Sequence, residues 1–418
     1  MRKLIVLTIV LFLLKTLQSQ QIIDSVSMNS NYTNQVFYSL ENGVVSSINN
    51  ENWTIALSVS NTGAEGSSII LNEANSQLWA YPGSNAQWTT FDTSNHLSWE
   101  QLLNTDTTWT NGAFNKYRGA AGAFDMGWGI LNPNNNFWIF GDSLYLIKLS
   151  DNSYKKLWVV SLKTGLWEFK YADIDGANEH VVIFNKSSYP NRNFIYYDML
   201  SHQLIDREPA NNSWDLTFLK HSDFVNPPGV HVAVTSIFSN KKVWSAKSYE
   251  IDYNAASTST IPQTSFIKKI DNIGREWKKF TSGSGWRVYD SIAYFLYNSD
   301  STGLYRLVFT GFGGTSNGTT YFTKELIQAI GIEEQRIEKD LLIFPNPAKN
   351  ELTVYIRNIT NSKSSIQIAD ITGKIVLEVA DNIFNNQLHL DISSLKSGIY
   401  IVSIQTDNMV VSSKFSKQ

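Results

Sequence analysis

The residues whose types could do chemistry in this sequence are few, and His221, His231 and Met126 lead them. An imidazole titrates near neutrality and offers a lone pair to a proton or a metal, while a thioether is a soft, polarisable donor. His221 ends a strand pattern that begins at Trp214, and His231 follows Pro227-Pro228-Gly229 at the start of another, so both rings would stand at a sheet rim. Met126 sits beside Gly127-Trp128-Gly129. The plain alternatives are surface or hydrogen-bonded histidines and a methionine used for packing. His96, His180 and His202 are the other histidines ahead of the C-terminal segment. No cysteine occurs in the 418 residues, which removes thiol catalysis, thiolate metal sites, disulfides and a lipid-bearing cysteine together.

The remaining motifs are incomplete. Asp173-Ile174-Asp175-Gly176 starts like a calcium loop but lacks the glutamate that closes one, so it reads as a tight turn. Gly311-Phe312-Gly313-Gly314 is without the strand-to-helix setting of a phosphate loop and marks a bend. Ser282-Gly283-Ser284-Gly285 does not have the Gly-x-Ser-x-Gly order of a nucleophile elbow, and HExxH is absent. Paired carboxylates would serve a glycan-active enzyme only at a separation that a sequence does not give. The expectation is a protein that is not an enzyme.

The elements that must position these side chains are strands. With 13 Trp, 19 Tyr and 22 Phe interleaved with Val, Ile and Thr, and only 17% charged residues, the composition suits pleated, half-buried surfaces. Leu144 to Leu149, a Ser150-Asp151-Asn152-Ser153 turn, Tyr154 to Leu162, a Thr164-Gly165 turn and Leu166 to Tyr171 read as a three-stranded meander. Two stretches resemble each other. Phe37-Tyr38 precedes Trp53-Thr54-Ile55-Ala56-Leu57, and Tyr196-Tyr197 precedes Trp214-Asp215-Leu216-Thr217-Phe218 at nearly the same spacing; coincidence in an aromatic-rich chain is the alternative. Helical periodicity is best from Thr323 to Lys339, whose first residues are expected to form a short terminal helix and whose second half is expected to be a linker.

The N-terminus carries the parts of a secretory signal: Arg2 and Lys3, an apolar run from Leu4 to Leu14, and a more polar stretch from Lys15 to Gln20. The run is too short to cross a bilayer, and no other segment is apolar enough, so no transmembrane segment is expected in the mature chain. The net charge is −3, and the basic residues are scattered rather than striped, which argues against nucleic acid as a partner.

From Leu341 the pattern changes to six or seven short strands in under eighty residues, the mark of a small β-sandwich. Phe344-Pro345-Asn346-Pro347, the Asp370-to-Gly373-Lys374 turn, and Ser397-Gly398-Ile399-Tyr400-Ile401-Val402 stand in the order found in type IX secretion sorting domains, and the final strand with Lys414 fits as well. The segment Leu341 to Gln418 is thus similar to such a domain along its whole length. The resemblance implies export by Bacteroidota through an outer-membrane translocon, removal of the tail by a sorting protease, and a mature protein released or attached to the outer surface. Pro345, Asn346, Pro347, Gly373, Lys374, Gly398 and Tyr400 carry the motif.

Several pieces of the body resemble the HmuY-like family of exported haem-binding proteins. They include Trp53 to Leu57, Gly127-Trp128-Gly129, Lys148 to Lys156, Tyr171 to Gly176, Trp214 to Phe218, Ile273 to Lys278, and Tyr305 to Gly314 with Phe322. Two departures stand out: Thr54 replaces the expected aspartate, and His221 stands where a tyrosine more often ends the strand. The resemblance implies a mostly antiparallel β fold and haem as a possible cofactor. It assigns no axial ligand residue by residue; His221, His231 and Met126 are the candidates by residue type and place in the strand pattern, since haem iron takes His, Met, Cys or Tyr from an apolar cleft. The expected organisation is a signal peptide over 1–20, an all-β body over 21–328, a linker over 329–340 and the sorting domain over 341–418. The expected role is an exported binding protein that captures haem or another planar ligand, with a structural or adhesive surface protein as the alternative.

Overall fold

The computed structural model describes residues 21–61, 63–225, 230–262, 266–329, 341–356, 363–382, 387–406 and 410–418. The signal segment and all but the first residue of the expected linker lie outside the described residues. The chain divides into two compact units, 1–331 and 332–418, and both are built from antiparallel strands. The fold is all-β, as the composition implies.

The first unit opens with β1 (Ile22–Ser27), β2 (Asn34–Ser39), β3 (Gly43–Asn49), β4 (Ile55–Ser58), β5 (Ile69–Leu71) and β6 (Gln77–Ala80). An insertion carries the short strands β7 (Gln101–Leu102), β8 (Gly129–Asn132) and β9 (Trp138–Gly141). The meander β10 (Leu144–Lys148), β11 (Tyr154–Lys163) and β12 (Leu166–Asp173) follows. The series then runs again: β13 (His180–Asn185), β14 (Phe194–Asp198), β15 (Gln203–Ile205), β16 (Leu216–Val225), β17 (Val230–Ser239) and β18 (Trp244–Tyr249). A second insertion holds β19 (Lys278–Thr281) and β20 (Gly285–Val288), before β21 (Ile292–Tyr297), β22 (Gly303–Phe312) and β23 (Thr319–Ala329).

The sheet orders reveal a duplication. One four-stranded sheet runs β15-β14-β4-β5 and the other β17-β16-β2-β3; exchanging β2 to β5 with β14 to β17 turns each into the other. The same exchange relates β13-β12-β11-β10-β6 to β1-β23-β22-β21-β18. Local bonds repeat with it. Thr54 N donates to Tyr197 O at 2.8 Å, and Asp215 N donates to Tyr38 O at 2.8 Å. The Asn72 amide donates to Asn50 O and Trp53 O at 2.6 and 2.9 Å, while the Asn240 amide donates to Asn211 O and Trp214 O at 2.8 and 2.7 Å. The meander turns match as well, each closed by an aspartate, Asp151 or Asp300, accepting from the residue two places on. Even the β-bulges correspond, at Val159/Ser161 and Phe309/Gly311. The Trp53 and Trp214 stretches noticed in the sequence are the same position in two tandem repeats.

Neither repeat buries its own opening strands. Val26, Val36, Tyr38 and Leu40 of the first repeat join the core of the second, with Phe218, Trp277, Phe309 and Phe322. Phe184, Ile195, Tyr197 and Met199 of the second join the core of the first, beside Trp128, Trp167 and Phe169. Several of these side chains are fully buried, each worth roughly 1.5–3 kcal/mol of apolar transfer.

The terminal helix expected from Thr323 does not form. Residues 319–329 are strand β23, paired with β22 on one side and, through Thr319–Lys324, with β1 on the other. Glu325 and the charged residues from Glu333 to Glu338 give the stretch the look of a solvated helix, but the ladder hydrogen bonds and the burial of Phe322 against Phe309 decide the local structure over 319–329.

The second unit comprises β24 (Leu341–Phe344), β25 (Glu351–Ile356), β26 (Lys363–Asp370), β27 (Ile375–Asn382), β28 (Gln387–Asp391), β29 (Gly398–Thr406) and β30 (Val410–Lys417). Sheets β24-β25-β28 and β27-β26-β29-β30 share a core of Leu352, Val354, Ile366, Ile368, Val402 and Phe415 among others, drawn from residues 348–415 alone.

The duplication makes a testable statement about the two asparagine clamps. Asn72→Ala and Asn240→Ala each strand two carbonyls in positions where the parent side chain is buried. Each should lower the unfolding free energy by about 1–3 kcal/mol in urea titrations. A large loss at one site and none at the other would show that the two clamps are not equivalent.

Candidate binding cleft

Between the two four-stranded sheets lies a cleft lined by Gln35, Trp53, Trp109, Tyr196, His221 and Phe238, with Glu73 and Asp106 at its polar side. Its walls follow from strand alternation: Leu216 and Phe218 of β16 point into the second core, so Thr217, Leu219 and His221 face the other way. His221 therefore lies within β16, not at its end. Its Nε2 is 2.7 Å from Ser236 Oγ, and its ring centre is 4.8 Å from that of Phe238.

Burial pushes the His221 imidazole down to about 4, with the Asp223 and Asp106 carboxylates opposing, so the ring is neutral at neutral pH. Asp223 itself is paired with Arg275. Glu73 is the counterpart. Its carboxylate accepts from the backbone N–H of Asn104 and, at 3.2 Å, of Ser222, yet burial outweighs both bonds and pushes it up to about 8. A second acid, Glu208, is raised to about 7 by burial; it accepts from the Asn193 amide at 2.7 Å and from Phe194 N at 2.9 Å. Arg207 spans the seam, donating to Gln35 Oε1 at 2.7 Å and Asn49 O at 2.8 Å, with its guanidinium 5.0 Å from the Tyr196 ring centre.

The cleft volume is about 50 Å³, room for a few waters. Pockets that take cofactors run to roughly 300–1,000 Å³, so a haem does not fit between these walls as they stand. What the site offers is a neutral imidazole and a protonated acid in an aromatic setting, able to hold water or a small polar group.

Met126 is elsewhere. It is buried in the core of the first repeat, with its Sδ 3.2 Å from Arg118 Nη1, and it does not line the cleft. The backbone of His231 pairs with Phe224 at the β16–β17 hairpin, and its side chain lies outside the described residues. The structure thus brings neither His221 and Met126 together nor an open cleft to His221. Sequence reading missed Glu73 and Glu208, because a lone glutamate carries no local sign of burial.

In the second unit the motif residues interlock. The Asn346 side chain accepts from Ser416 N at 2.9 Å, and Ala348 N donates to Ser416 O at 2.8 Å, which ties the Pro345-Asn346-Pro347 segment to the last strand. Gly373 has φ +83°, a left-handed angle that glycine adopts without penalty, in a turn where Asp370 Oδ1 accepts from Thr372 N and Lys374 N. The Tyr400 hydroxyl donates to Lys396 O at 2.8 Å just after Gly398, and its ring stacks on Phe415 at 5.7 Å.

Residues 342–418 match the family model described as the secretion system C-terminal sorting domain. Such a tail sends the protein through the type IX machinery across the outer membrane, to the cell surface or to release. No curated protein matches the chain. Among solved structures, it is similar to dimeric latent PorU from Porphyromonas gingivalis, at 9% identity and TM-score 0.16, over 84% of this chain and 31% of that one. The polysaccharide lyase BACCELL_00875 is matched at 11% identity and TM-score 0.16, over 69% and 46%. The BSP domain of a biofilm-associated protein is matched at 11% identity and TM-score 0.18, over 93% and 82%. The chain spans less than half the length of the first two. Among the described residues, no helix is long and apolar enough to cross a membrane.

The Glu73 carboxyl has a folded value above its ordinary 4.5, so its contribution to stability is present below about 4.5 and is lost as pH rises through about 8. Glu73→Gln removes that slope. The stability of the variant relative to the parent should rise across the window, by up to about 1.4 kcal/mol per pH unit. A flat difference between pH 4.5 and 8 in chemical denaturation would mean that Glu73 is ionised throughout.

Proposed function

We propose that the body is an exported binding protein that meets its partner on an open aromatic platform instead of enclosing a cofactor. The observation that carries this reading is the β19–β20 insertion of the second repeat. There Phe280 and Trp286 are exposed, with ring centres 5.3 Å apart, and the edge of Trp286 meets Phe312 at 4.9 Å. Gly314, at φ +63°, lies under the indole; a Cβ there would come within 2.9 Å of its Nε1. Beneath, the Lys278 ammonium sits 4.4 Å from the Trp277 ring centre and 4.8 Å from that of Phe312, and it donates to Thr235 O at 2.9 Å, which fixes the rings.

Exposed aromatic rings held rigidly lose little entropy on contact and suit a ring-shaped or polymeric partner. The role is capture or adhesion at the cell surface, without catalysis. Haem is the finer reading, motivated by the ordered motifs of the body. None of the platform residues is a histidine or methionine, and the His221 cleft is narrow, so we favour the adhesive form.

Two measurements check this. Titration of the purified protein with hemin should give no saturable Soret shift, and a shift lost in His221→Ala would restore haem capture. Binding to a panel of immobilised polysaccharides and cell-surface proteins should fall by about tenfold or more in Trp286→Ala, the roughly 1.4 kcal/mol or more expected of an aromatic anchor. Deleting residues 341–418 should leave the body on the inner side of the outer membrane in fractionation experiments; its continued arrival outside would remove the sorting role of the tail.

A further inference from the structure

Each repeat is closed by the opening strand of the other, and the two closures carry different chemistry at the same position. Where β1 meets β23, Lys324 Nζ donates to the Tyr38 hydroxyl at 2.7 Å and lies 3.2 Å from Asp24 Oδ2, which accepts from the same hydroxyl at 2.6 Å. The paired bulges locate the equivalent place in the first repeat. Phe322 opposite Phe309 corresponds to Phe169 opposite Val159, which puts Tyr171 where Lys324 stands and Tyr197 where Tyr38 stands.

That second fastening is made of hydroxyls and imidazoles. The Tyr171 hydroxyl lies 2.9 Å from the Tyr197 hydroxyl and 2.6 Å from Nδ1 of His202. His202 stacks on His180, the first residue of β13, with ring centres 3.9 Å apart and planes 16° apart, and Tyr171 stacks on His180 at 5.1 Å. The other charged groups facing the stack are Lys155 of β11 and Asp173 of β12, which pair with each other, and Asp198 of β14, whose charge bears on Tyr171 and Tyr197. Asp173 alone among them favours a proton on His180, and it is committed to Lys155.

Two imidazolium rings face to face at this spacing repel. We infer that the His180–His202 stack is an acid-sensitive fastening: protonation below neutral pH loosens β13 and the β14–β15 turn, while the β1 fastening, built on an ion pair, holds. The charges support the asymmetry. Burial, the neighbouring His202 and Lys155 push His180 below its ordinary 6.5, so the loosened strand takes up a proton more readily than the closed one. The stability of the closure is full above about 6.5 and falls as pH drops through that value. At the β1 closure, burial works to raise Asp24, but the Tyr38 hydroxyl, the Ser25 N–H and Lys324 together hold it below its ordinary value, out of this range. Loosening β13 would uncover the edge of β12, a row of free backbone groups open to an extended segment of another chain.

The test is hydrogen exchange read by mass spectrometry on the full chain, at about pH 7.5 and about pH 5.5 with intrinsic rates corrected, on either side of imidazole titration. The amides of His180–Asn185 should lose protection at the lower pH by about tenfold per pKa unit of differential binding, while those of Ile22–Ser27 keep theirs. His202→Asn, which tolerates the left-handed φ of +58° at that turn, should abolish the acid response, and His180→Phe should keep the stack without it. Equal change in both strands, no change in either, or an undiminished response in His202→Asn would overturn the inference.

Discussion

The structure of the body rests on one constraint: the segment that opens each repeat completes the core of the other. Tyr38 is buried against Phe218 and Phe322, which follow it by well over a hundred residues, and Tyr197 is buried against Phe169 of the preceding repeat. A duplicated chain whose halves folded separately would present two independent cores. Here the exchange makes the halves one cooperative body, and it sets the two four-stranded sheets face to face along a polar and aromatic seam. Glu208, Arg207 and His221 are buried, and Glu73 half-buried, because that seam exists.

The seam and its surroundings hold buried titratable groups at some cost to stability. Lys186, pushed down to about 8 by burial and by Lys241, donates to Ser60 O and Gly66 O and lies 5.4 Å from the Trp167 ring centre. Lys278 is pushed down to about 7 by burial and by Arg275. Carbonyls and aromatic faces replace the carboxylates that usually neutralise such cations. A chain without cysteines meets these penalties from the size of its two apolar cores instead of from cross-links.

Much of the fold could be read locally. The Asp151 turn, the meander around it and the strands of the sorting tail all follow from alternation bounded by turn residues, because hairpins pair neighbours in sequence. The Trp53 and Trp214 resemblance was a local trace of the duplication and carried no sign of its exchange, since which strand pairs with which is decided across more than 130 residues, as with Thr54 and Tyr197. Glu325 misled the reading of β23 because a charge that pairs across a sheet, here with Arg306, looks in sequence like one on a solvated helix face. Of the candidate site, His221 was visible as a residue type. Its neighbour Glu73 was not, and the narrowness of their cleft is a fact about sheet packing that no motif encodes.

The pairing of β1 with β23 has a consequence for assembly in time. Ile22 meets Lys324, so β1, the first strand made, has no partner until almost the whole body has been synthesised. Contacts of such sequence separation form slowly, because the intervening chain must surrender its freedom before the contact rewards it. The topology therefore leaves the closure of the body to the last part of its chain to be made.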